Sequence, residues 1–382
     1  MSEETTYLSP NGQSLTFGTG TLTRILVATL GGIAVLERER RGRHWAVAER
    51  WLEDRHIGAI LREPVTGRLY AGCHHAGGVY VSDSGAGDDW RQINDGLDRD
   101  HVYTLAARNV DGTVTLFAGT SPAGLYRSDD FGESWQEITS IHDGPDRDKW
   151  TFPPPPHIPH VKQVVFHPAE PETLFALVEQ GALLRSTDDG RTWTDLAAYS
   201  EAHDVAYRDV HRLLIDPDDT DRWFLATGEG LYRSRDGGAS FDHLIRRGER
   251  LGYPDFLFFD PADRRTVFVG GSHLNPGQWY RSGIAESTVM RSDDDGDTWV
   301  EMTSGLPNPV VGAFEAMSLH CWDGGMMMVA GTATGEVYGS DDSCASWVCL
   351  DDDVMPVSKD DHHLPFMSEA ERAAARAARG LA

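Results

Sequence analysis

Histidines and carboxylates recur in this chain at matched distances from a residue that ends a strand. Residues 56–64, 101–109, 160–168, 209–217 and 253–261 each run eight positions to a Pro or a turn Asn. They begin with His56, His101, His160, Asp209 and Tyr253, and two positions on stand Gly58, Tyr103, Lys162, His211 and Asp255. The run AFEAMSLHCW places Glu315 at that second level. Residues two apart in a strand share a face, so both levels would look into one space. Imidazole nitrogens and carboxylate oxygens meeting at a point are the donors of Zn, Fe, Mn, Ni and Cu sites. The pattern predicts one divalent transition metal with His56, His101, His160 and His211 as ligands. Asp209, Asp255, Glu315 and Tyr103 are the candidate catalytic groups, the carboxylates serving as further ligands, as orienting partners of the imidazoles or as a general base. The bland counterpart is a hydrogen-bonded polar lining of a wet channel.

Long segments join these strands on the side where they begin: residues 141–159, 197–208, 245–252, 270–287 and 304–314. Loops of this length on a rigid scaffold carry binding residues. With the shorter GCHHAGG they bring His74, His75, His157, His273, Trp279 and Tyr207 over the same mouth as candidate contacts to a small-molecule substrate. The run KWTFPPPPHIPH reads as a stiff polyproline lid that aims His157 and His160. The motif DDHHLPF near the C-terminus is expected to lie in solvent.

The elements that must position these residues emerge from an internal repeat. SDDFGESW from Ser128 returns as STDDGRTW from Ser186, SRDGGASF from Ser234 and SDDDGDTW from Ser292, with looser copies from Ser82 and Ser340. The serines lie 46, 58, 48, 58 and 48 residues apart. Before each copy stand two short β-branched or aromatic runs, such as LFAG and GLYRS, and another run follows the Trp. Short apolar runs bounded by Gly and Asp read as strands, so one repeat is four antiparallel strands, the blade of a β-propeller. Residues 22–53 read as a further blade without the box, which makes seven. The expected organisation is an N-terminal segment at 1–21, a seven-bladed propeller at 22–357 and a tail at 358–382 with a short helix. Either residues 14–18 or residues 354–357 are expected to close the ring.

The motif S-x-D-x-G-x-T/S-W resembles the Asp-box of the BNR-repeat propellers, a group that includes sialidases, sortilin-type receptors, xyloglucanases and photosystem assembly factors. The resemblance spans roughly residues 55–350 and implies the all-β propeller fold, but not an activity, because the box occurs across unrelated functions. Within the box, Asp and Gly suit a tight hairpin and Trp an anchor. Three functions follow as expectations. The first is a metal-dependent enzyme acting on a small molecule at the channel mouth. The second is a non-catalytic scaffold. The third is a glycoside hydrolase using two of the channel carboxylates.

Composition narrows the partners. The 382 residues carry 34 Lys+Arg against 60 Asp+Glu, a net charge of −26, which repels phosphate backbones and excludes nucleic acid as an expected partner. The longest apolar stretch, residues 25–36, is too short to span a bilayer. The N-terminus has no basic and apolar leader pattern, and four scattered cysteines with no CxxC pair argue against a disulfide scaffold. A cytoplasmic location with reduced thiols is the expectation.

Overall fold

In the computed structural model, which describes residues 4–39, 44–75, 77–154, 156–205 and 207–378, seven sheets follow one another around a ring. The chain is a seven-bladed β-propeller. Six blades are antiparallel from inside to outside, their inner strands being Ile57–Arg62, Val102–Val110, Val161–Phe166, Val210–Ile215, Tyr253–Phe259 and Phe314–Trp322. The second strands are almost wholly buried, as Leu174–Val178 and Trp223–Thr227 show. That is why they read as continuous apolar runs rather than alternating ones.

Five of the six Asp-boxes close a hairpin by the same bonds, and the box from Ser82 uses Asp89 instead. Ser186 Oγ donates to Asp188 Oδ1 at 2.8 Å and accepts the Gly190 N–H at 2.8 Å, while Asp188 takes the Thr192 N–H at 2.8 Å. Ser128, Ser234, Ser292 and Ser340 repeat the Ser–Asp bond at 2.7–2.9 Å. The indoles then lock neighbours: Trp135 Nε1 donates to Ile93 O and Trp347 Nε1 to Met302 O, each in the preceding blade.

Ring closure uses more of the N-terminus than the sequence suggests. The first blade's inner strand is Thr5–Leu8, which pairs parallel with Arg24–Thr29. Residues 14–18 do not supply it; instead Leu15–Phe17 adds a fifth strand, parallel to Leu319–Cys321, at the edge of the last blade. Residues 354–357 run between first and last blades, where Pro356 O accepts from Leu30 N and Val357 N donates to Thr332 O. Leu8, Ile25 and Val27 pack with Val329, Val354 and Val357 in one apolar cluster across that joint. After this joint the chain crosses the channel and ends in the helix Glu369–Ala378. No helix is long and apolar enough to cross a membrane among the described residues.

Candidate functional site

Six inner strands share a local defect at the second level of the pattern. In the third blade Val102 faces Thr120 and Thr104 faces Gly119, which leaves Tyr103 without a partner. The same slip isolates Gly58, Lys162, His211, Asp255 and Glu315. A β-bulge breaks the ladder and re-aims the extra side chain, so the backbone turns one residue per blade toward the axis. Gly58 is the exception without a side chain. A Cβ there would collide with His74 Nε2, so its absence makes room for that ring.

Charged groups fill the mouth and pair with one another. Lys162 Nζ donates to Glu179 Oε1 at 3.0 Å and lies 3.6 Å from Asp255 Oδ1. His160 Nε2 is 2.7 Å from Glu179 Oε2. Burial pushes the Glu179 carboxyl up, but the Lys162 ammonium and the His160 bond together hold it well below the carboxylate range. Burial likewise opposes the charge of Asp255, and Lys162 and Lys359 overcome it and keep the carboxyl ionised. Lys162 itself is held above its usual value, since Asp255, Glu179 and Asp209 outweigh its burial.

The tail completes this cluster rather than lying in solvent. Lys359 is 2% exposed, its Nζ pairs with Asp255 and its N–H donates to Glu315 Oε2 at 2.8 Å. His362 Nδ1 sits 3.1 Å from Glu315 Oε1. His56 Nε2 donates to Ser358 O at 3.0 Å, and Asp360 lies 2.9 Å from His75 Nε2. The expectation failed because DDHHLPF looks hydrophilic, and its partners lie in distant blades.

The four histidines expected to share a metal are not brought to one point. His56 bonds to the tail, His101 Nε2 lies 2.8 Å from His74 Nδ1, His160 bonds to Glu179, and His211 Nδ1 donates to Pro254 O at 2.7 Å. Among the described residues the groups with metal-ligand spacing are His75–His101–Asp360 and Glu179–Asp209–His211. Burial lowers His56 to about 3 and holds His74 well below its usual value, so both rings are neutral. Tyr103 is stacked between His101 and His160 at centroid distances of 5.1 and 3.7 Å; burial first, then Asp360, raises its hydroxyl well above 10.

The remaining candidates scatter. Trp279, 2% exposed, is core in the helix Pro276–Ser282, where Nε1 donates to Leu274 O. His157 turns back to Phe152 O, and Tyr207 reaches Asp146. The proline run's Pro155 lies outside the described residues. His273 lines an open cavity of about 310 Å³ with Arg247, Tyr253, Asn275, Gln278 and Arg281. Tyr253 also packs edge-on against His211, 4.6 Å between centroids, and so joins that cavity to the channel. The sequence reading missed Glu179. It follows the second strand of its blade at the position His74 holds in the second blade, each N–H donating to the first-level histidine's carbonyl. That shared register was a usable signal.

No protein-family model matches the chain. It is 25% identical over 281 residues to a xyloglucanase of Acetivibrio thermocellus, covering 66% of this chain and 32% of that protein. A Paenibacillus xyloglucanase gives the same identity and length, covering 26% of its own sequence. The chain thus spans about a third or less of these curated relatives. Among solved structures, an ancestral GH74 enzyme superposes with a TM-score of 0.58 at 14% identity, over 84% of this chain and 38% of that one. YCF48 from Cyanidioschyzon merolae superposes with 0.52 at 16% identity, over 86% and 95%. The fold is a BNR-type propeller.

Proposed function

We propose that this chain is an oligosaccharide-binding propeller of the glycoside-hydrolase kind, with a neutral sugar chain lying in the cavity beside Tyr253. The similarity to xyloglucanases over 281 residues carries this reading. The cavity supports it: Arg247, Asn275, Gln278 and Arg281 offer planar donors and acceptors for adjacent hydroxyls, and Tyr253 adds an aromatic wall. Cleavage needs a carboxyl kept protonated near neutral pH beside an ionised one. Glu179 and Asp255 are both held ionised, so neither is that protonated acid, and recognition is what we assign to the cavity.

Calorimetry with xyloglucan oligosaccharides tests it, with reducing-sugar release measured in parallel. Saturable binding weakened at least tenfold by His273→Ala or Arg281→Ala supports the reading; no binding to any neutral oligosaccharide overturns it. A second reading, a non-catalytic scaffold for a protein partner, is favoured by the mouth being filled by the chain's own tail. Failure of every sugar probe would leave that one standing.

A further inference from the structure

We propose that Glu179, Asp209 and His211 form a binding site for one divalent transition-metal ion, deep in the channel mouth and distinct from the sugar cavity. One donor atom from each lies within 4.8 Å of the others, and all three residues are buried. His211 Nε2 is 3.4 Å from Asp209 Oδ1 and 4.0 Å from Glu179 Oε1. Ligands of a zinc-like ion bonded at about 2.0–2.2 Å stand roughly 3 to 3.5 Å apart. One of the two separations already meets that spacing, and the other needs a shift of about half an ångström or more.

The tautomer of His211 points the same way. Its Nδ1 is 2.7 Å from the Pro254 carbonyl, which can only accept, so Nδ1 carries a proton. Among the described residues Nε2 has no hydrogen-bond partner, and neither does Asp209 Oδ1. The His211 side chain is 0% exposed. The Lys162 ammonium already answers the Glu179 charge, but it leaves the lone pair of His211 Nε2 facing an unpartnered Asp209 oxygen, and a cation between them would join the two. A backbone-oriented imidazole of this kind is the usual support of a metal-bound histidine.

Neighbouring groups already hold the two carboxylates in position. Glu179 is steered by His160 on its other oxygen, and its Oε1 has a second lone pair beside the one Lys162 occupies. Gly228 leaves the space Asp209 needs, since a Cβ there would collide with its Oδ2. Three protein donors leave coordination positions open, and the set of two carboxylates and one imidazole suits manganese, iron, cobalt or zinc over soft-ligand ions. The alternative cation is a proton on Nε2, which would make His211 an imidazolium paired with both carboxylates.

Full-length protein without a histidine tag, stripped by chelator, would be titrated with Mn²⁺ and with Zn²⁺ by calorimetry, with elemental analysis of the reloaded protein. The expected result is one equivalent bound, a raised melting temperature, and at least a hundredfold weaker binding in Asp209→Asn and His211→Ala. Asp209→Asn is nearly isosteric and keeps the test readable if His211→Ala fails to fold. His101→Ala, which disrupts the His75–His101–Asp360 group, should bind as wild type. Absence of binding below millimolar concentration, or loss in His101→Ala with retention in Asp209→Asn, overturns the site. Neither result bears on oligosaccharide binding, which uses other residues.

Discussion

The rim of Asp-box hairpins and the channel mouth sit at opposite ends of the same blades and treat repetition in opposite ways. On the rim, blades three to seven make one hydrogen-bond pattern with nearly one set of residue types, Cys344 in place of Gly and Phe241 in place of Trp being the departures. At the mouth, the backbone repeats the same bulge while its side chain changes from Tyr103 to Lys162, His211, Asp255 and Glu315. A feature every blade needs for its own folding is copied. A position whose backbone is copied but whose chemistry differs in each blade is serving something shared by all of them. The mouth is one composite object, and the rim is several equivalent ones.

Acid should produce the largest change, and pH separates the regions. Asp188 and Asp294 are each lowered to about 2, by Thr192 and Thr298 hydrogen bonds first, against about 3.9 for an unfolded aspartate. Their stabilisation is complete above about pH 4 and is lost as pH falls through about 2. Circular dichroism should therefore show cooperative acid unfolding in that window. Only the mouth should respond to base. Burial works against a charged His362, yet Glu315 raises its pKa above 6.5; that contribution is present below about pH 6.5 and lost as pH rises through the raised value. Amide exchange of residues 358–366, corrected for intrinsic rates, should quicken on that side while the rim hairpins stay protected.

Single substitutions should rank in the same way. Lys162→Met removes the ammonium that Glu179 and Asp255 share in a buried site and should cost about 3–5 kcal/mol in urea unfolding. Ser186→Ala removes three box hydrogen bonds and should cost about 1–3 kcal/mol. The comparison sharpens if Ser128→Ala, Ser234→Ala and Ser292→Ala match it to within about 0.5 kcal/mol; unequal costs would break the claim that the boxes are equivalent. Arg91→Ala, which loses exposed pairs with Asp83 and Glu133, should shift stability by no more than about 1 kcal/mol.

Much of this contrast is legible in the sequence, and for a physical reason. The box is local: Ser186, Asp188, Gly190 and Trp193 lie within eight residues, so their bonds appear as a word in the text. The bulged level was also readable, because each inner strand starts at a fixed distance from its terminating turn. What escaped depends on distance. Thr5–Leu8 is four residues long and pairs parallel, with no box to mark it. Lys359 owes its burial to Glu315 and Asp255, 44 and 104 residues away. The four-histidine site failed at a finer scale: alignment places the backbones in register, but the rotamers are decided by neighbours such as Pro254 O, His74 and Ser358 O, which register does not reveal.

The ring joint also imposes an order of assembly on a chain made from its N-terminus. Strands within a blade are near neighbours in sequence, so each blade can zip as it leaves the ribosome. Leu15–Phe17 cannot: its partner, Leu319–Cys321, emerges roughly 300 residues later. Until then that early segment is an unclaimed β-edge, a liability for pairing with the wrong chain. Lys359 arrives later again, and until it does Asp255 lacks one of its two ammonium partners and Glu315 has neither its backbone donor nor His362. A chain stopped short of residues 358–362 would carry an unfinished mouth on an otherwise complete ring, its carboxylates in place before their last partners.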